Sequence, residues 1–149
     1  MYAPHTVTIY NSVTETDKTT LKETETLYTT ILRGVFLDAS KGVNVRESGL
    51  EGADAVTLYI PFAVEAVDGT TGDVKKYVGP QEFYNAEDKT GLWTLSINGN
   101  GGTTFFIKNE YVTDNEAVAL AHDDCYNLTK VDMKDFGSAD MQHWECGGV

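Results

Sequence analysis

The chain has few cations: 11 Lys and Arg stand against 23 Asp and Glu, for a formal net charge of −12. Gripping nucleic-acid phosphate takes clustered Lys and Arg, so specific DNA or RNA binding is disfavoured. An anionic membrane surface is disfavoured for the same reason. Long apolar runs are missing too. No stretch approaches the roughly 20 apolar residues of a membrane span. The N-terminus lacks the basic start and apolar core of a secretory signal, so the chain is expected to be intracellular where it is made. Only two cysteines occur, and in a reducing compartment they are expected as free thiols. Nucleophile-elbow, P-loop, dinucleotide-fingerprint and EF-hand patterns are all lacking, and "DGTTGD" has no bidentate Glu at calcium-loop spacing.

What remains is ordinary in size and apolar content. A chain of 149 residues that is 41% hydrophobic buries roughly two-thirds of its unfolded surface, so a core needs no metal or disulfide. One domain is the simplest expectation. The acids are uneven. From Asn109 onward nine of them (Glu110, Asp114, Glu116, Asp123, Asp124, Asp132, Asp135, Asp140 and Glu145) face only Lys130 and Lys134. Such a run is a solvated face or a surface for a basic partner.

Period-2 alternation dominates the chain. Thr6–Tyr10, Leu27–Leu37, Ala55–Ile60, Gly91–Ile97, Thr103–Lys108, Tyr126–Met133 and the last residues before Cys146 all read as strands. Gly34 marks a bulge or bend in the second of these. Pro61 forces a bend or an edge position. "NGNGG" makes 91–108 a hairpin, and "KDFGS" makes the tail a final hairpin. Two long insertions are expected: a mobile polar loop over 11–25 and a second loop over 38–54. Pro80 suits a single helical turn. Thr113 to Glu116 reads as a capping box opening the one convincing helix. The expected fold is mainly β, an antiparallel barrel or sandwich with one short helix and long loop insertions.

Few residues suggest chemistry. His122 with Cys125 and His143 with Cys146 form two H-x-x-C pairs of zinc-ligand type. Residues three apart on a strand point to opposite faces, however, which splits the second pair. No metal or cofactor is therefore expected. Cys125 with His143 as a thiol–base pair lacks an orienting partner in any local pattern. The carboxylate pairs Asp123/Asp124 and Glu23/Glu25 read as solvated faces. Trp93, Phe105, Phe106, Tyr59 and Tyr111 read as core. Trp144, beside charged Glu145, is a candidate to face a partner.

The stretches "MYAPHTVTIYN", "TTILRGVFLD", "ADAVTLYIPF" and "YNLTKVDMKDFGSADMQHWECGG" resemble a family of small proteins encoded among the head and neck genes of tailed phages and prophages of Gram-positive bacteria. The tail also resembles the ending of head–tail stopper or connector proteins. The chain departs from a minimal stopper in its long insertions. The resemblance implies a non-enzymatic virion component, a small barrel that assembles with copies of itself into a ring between neighbouring virion proteins. It implies that the 38–54 loop reaches toward the channel, with Lys41 and Arg46 as contact or channel-lining groups. The terminal hairpin would supply a pairing edge, with Gly147 and Gly148 allowing close backbone approach. An acidic channel wall would let DNA pass without sticking. A different reading is an acidic inhibitor that fills the basic groove of a nucleic-acid-processing defence enzyme.

Overall fold

The computed structural model describes residues 3–39, 55–97 and 102–149. Its first two strands, β1 (His5–Thr16) and β2 (Glu23–Asp38), form one long antiparallel hairpin. The expected loop over 11–25 is therefore wrong, since only residues 17–22 turn. Threonine explains the difference. A Thr-rich polar stretch is poor in apolar signal yet rich in β-branched side chains, which favour extended backbone without needing a core.

The hairpin seeds a closed ladder. β2 pairs with β3 (Val56–Pro61), β3 with β9 (His143–Gly148), β9 with β8 (Cys125–Lys134), β8 with β7 (Thr104–Lys108), and β7 with β1. A short strand, β4 (Glu65–Asp68), also lies against β2. All these pairings are antiparallel. β2 and β8 belong to both faces of the barrel and turn its corners. At the first corner Gly34, with φ +92°, sits where the β1–β2 register shifts. Bulges of this kind let one strand change sheets. At the second corner the β8–β9 register slips between Leu128 and Lys130. Pro61 ends β3, where the lack of an N–H costs the ladder nothing.

The inward residues alternate as expected. Along β3, Val56, Leu58 and Ile60 are buried while Thr57, Tyr59 and Pro61 are half-exposed. They meet Val7, Ile9, Leu32, Val35, Phe106, Leu128 and Cys146 in the main core. A second layer, Tyr10, Phe105, Ile107 and Ala119, lies outside the β1–β7 face under helix α2 (Glu116–Leu120). A third, Val13 and Val78 with Phe83 of helix α1 (Pro80–Asn85), packs beside the hairpin.

Two local expectations change. Residues 91–97 do not form a ladder with 103–108. Instead β6 (Leu92–Trp93) pairs in parallel with β5 (Lys76–Tyr77), and Trp93 and Leu95 enter the core. The backbone of Thr94 is satisfied by a side chain. Asn11 Nδ2 donates to Thr94 O at 2.8 Å, and Thr94 N–H donates to Asn11 Oδ1 at 3.3 Å. One buried amide thus replaces a strand partner. The helix after residue 112 is capped by Asn115, which accepts from Val118 N–H at 3.2 Å, and not by Thr113. Thr113 Oγ1 accepts from Asn115 N–H and holds the cap in place. With α1 as well, the described residues carry two short α-helices and not one.

Replacing Trp144, which is 5% exposed amid core side chains, by Ala is expected to cost about 3–5 kcal/mol. A Cβ on Gly148 would lie 2.8 Å from Phe106 Cζ and 3.0 Å from Val56 Cγ2, so Gly148→Ala is expected to cost roughly 1–3 kcal/mol. Urea unfolding followed by tryptophan fluorescence (for Gly148→Ala) and by circular dichroism (for both) measures these. A loss well under 1 kcal/mol in both variants would contradict this packing.

Candidate functional site

Of the interface residues expected from the sequence, Trp144, Gly147 and Gly148 are buried. Lys41 and Arg46 lie outside the described residues. Trp144 is in the core, its ring 4.4 Å from that of Tyr77, 4.5 Å from Phe62 and 5.7 Å from Trp93. Gly147 and Gly148 are buried, paired with Thr57 and Val56 on one side and with Lys130 and Leu128 on the other. The final hairpin does form, but β9 is an interior strand, so Gly147 and Gly148 do not lie on a free edge. The distant strand β3 has already taken it.

The four possible zinc ligands are dispersed. His122 stacks near Tyr111 at 4.7 Å, His143 lies near Tyr59 at 5.9 Å, Cys125 packs in the outer layer and Cys146 in the main core. Among the described residues no group of three or more His, Cys, Asp or Glu is placed to hold a metal ion. Burial pushes the Cys125 thiol up to about 11 and the Cys146 thiol up to about 12, so both are poor nucleophiles at neutral pH.

The conspicuous surface feature is the far part of the β1–β2 hairpin. Residues 14–26 are all exposed, yet Thr14 to Thr16 stay paired with Glu25 to Glu23. This is a two-stranded arm projecting past the barrel. Its base is clamped at two points. Ser12 N–H donates to Thr103 O at 3.1 Å. On β2, Thr29 O accepts from Gly69 N–H at 3.1 Å and from the Lys75 ammonium at 3.0 Å. The Lys75 side chain is fully buried, and its counter-charge is Asp68 at 3.3 Å. Burial lowers the Lys75 pKa, with Asp68 pulling the other way. Burial raises that of Asp68, but bonds from the Thr71 and Thr70 N–H groups and the Lys75 charge outweigh it and lower it overall.

Beside the arm runs an open groove of about 590 Å³, lined by Glu25 and Leu27 from β2 and by Asp114–Ala117 and Leu120 from the α2 region. The Glu116 carboxyl shares a hydrogen bond with Glu25. That bond, partial burial and the Glu25 charge push Glu116 up to about 7. Glu25 therefore pairs across the groove with Glu116 and not along its own strand with Glu23. Sequence spacing could not show this, since the two carboxylates are 91 positions apart.

The sequence matches the DUF6751 family, described as a family of unknown function, over residues 2–149. The chain belongs to that family. No curated protein and no solved structure matches it.

Two outcomes follow for members of DUF6751 built like this one. Asp68→Asn leaves the Lys75 ammonium buried without its counter-charge and is expected to cost about 3 kcal/mol, read by urea unfolding; an unchanged midpoint would refute the clamp. Glu116 holds its proton more tightly folded than unfolded, so its contribution is full below its ordinary value of 4.5 and is lost as pH rises through that value to about 7. Glu116→Gln should therefore make the decline of Tm across that window shallower. Identical Tm profiles in variant and parent would show that the carboxyls do not share a proton.

Proposed function

We propose that this protein is a non-enzymatic structural component of a phage virion, a connector- or stopper-like piece of the neck that works through contacts between subunits. The observation that carries the reading is the arm: thirteen consecutive exposed residues beyond the barrel, with 14–16 and 23–26 held in strand geometry on either side of a turn. A rigid closed barrel with a projecting ribbon suits assembly, because exposed strand edges pair with other chains. A second feature agrees with it. The connection bearing Lys41 and Arg46 leaves after Asp38 and returns by Thr57, which pair with each other. Both ends of that connection therefore meet at one place on the barrel. The net charge of −12 keeps passing DNA from adhering.

The test is immunogold labelling and cryo-electron microscopy of virions produced from the prophage or phage that encodes the chain. The expected result is density for a ring of this barrel at the head–tail junction. Absence of the chain from purified virions would overturn the reading. Salt-sensitive capture of the chain on a basic nuclease, with inhibition of that nuclease, would favour the acidic inhibitor instead.

A further inference from the structure

The backbone of the arm carries more information than its side chains. Ser12 N–H points away from β2, to Thr103, and Thr29 O points away from β1, to Gly69. Asp17 N–H points inward, to Lys22 O at 2.9 Å. In an antiparallel pair these directions alternate along each strand. Thr14 and Thr16 on β1 therefore turn both N–H and C=O outward, as do Glu23, Glu25 and Leu27 on β2. Among the described residues no strand pairs with either outward row. A two-stranded ribbon without an apolar face is marginal in water and gains from added strands.

The charge pattern selects which strand is added. Cross-strand neighbours share a face, so Thr14 and Thr16 lie with Glu25 and Glu23 on one face, and Glu15 with Thr24 on the other. Setting two β2 edges together antiparallel brings Glu23 and Glu25 opposite each other's acids. Setting two β1 edges together brings Glu15 opposite Glu15. Like charges directly opposite are destabilising. Setting the β2 edge of one arm against the β1 edge of another avoids both. No register that preserves the faces then places an acid opposite an acid, and the one that repeats the single hairpin sets Thr14 against Glu25 and Thr16 against Glu23. Arms that point the same way meet in this antiparallel sense.

Resting on the assembly reading above, we propose that the arm is the joint between copies of this chain: the Glu23–Glu25 edge of one copy pairs antiparallel with the Thr14–Thr16 edge of the next. Two different edges meet, so the contact is heterologous and repeats around a ring. The incoming Thr14 and Thr16 lie along the groove formed by Glu25, Leu27 and the residues before α2, where their hydroxyls can donate to the Glu25 and Glu116 carboxyls.

Proline supplies the test, because on an outward-facing edge it removes only the outward N–H and leaves the hairpin's own ladder intact. Thr16→Pro, Glu25→Pro and a chain with residues 14–25 replaced by Asn-Gly are compared with the parent by native mass spectrometry at high protein concentration, with Tm and circular dichroism reporting the barrel. The expected result is assemblies of several copies for the parent and at least a tenfold loss of assembly for all three variants, with the barrel still folded. Mixing Thr14→Cys and Glu25→Cys chains with a short bis-maleimide is expected to give at least tenfold more cross-linked dimer than either chain alone. Parent assembly that survives in all three variants would overturn the arm joint while leaving subunit assembly standing. A parent that stays monomeric, with no cross-link in the mixture, would overturn both. Cross-linking of Glu25→Cys with itself at the level of the mixture would overturn the heterologous pairing.

Discussion

Everything else in this molecule hangs on the ladder between β1 and β2. It closes the sheet, because β1 also holds β7 and β2 also holds β3, so β7, β8, β9 and β3 each have a neighbour on both sides. Closure gives every strand of the ring a neighbour on each side and leaves β4 at its margin. The same ladder runs past the body, and the overrun is the arm. One continuous hairpin thus makes both the part that hides its edges and the part that displays them.

Closure also forces polar groups inward, and the chain answers with specific partners. Thr94 crosses the interior without a strand beside it, and Asn11 supplies the missing donor and acceptor. Lys75 is drawn under the β2 edge, and Asp68 answers its charge while Thr29 O accepts a hydrogen bond from it. Leaving either group unpaired would cost more than the bond itself returns. These two contacts stand near the base of the arm, so the point where burial ends is defined by buried polar pairs as well as by apolar packing.

Much of the architecture was legible because alternation reports burial directly. The β3 run, the final hairpin, the turn of helix at Pro80 and the bulge at Gly34 all follow from residue type at neighbouring positions. The failures share one cause. Trp93 and Leu95 alternate because both are buried, and alternation does not reveal whether a strand or a side-chain amide satisfies the backbone between them. Residues 11–25 looked like loop because the stretch is polar, although β-branched residues hold extended backbone in solvent once a ladder starts them. Trp144 looked available because Glu145 follows it, but on a strand adjacent residues face opposite ways, so a charged neighbour is what a buried residue should have.

By itself the sequence determined the class of fold, the acidic surface and the positions of most turns, since these depend on composition and on contacts within a few residues. Only the tertiary structure decided that β9 lies between β8 and β3, that Glu25 meets Glu116, and that the first hairpin runs on past the barrel with its outer rows unpaired among the described residues. Those outcomes depend on which distant strands become neighbours. Backbone hydrogen-bonding groups are the same in every residue, so no residue type announces its partner, and the choice falls to the packing of the whole barrel.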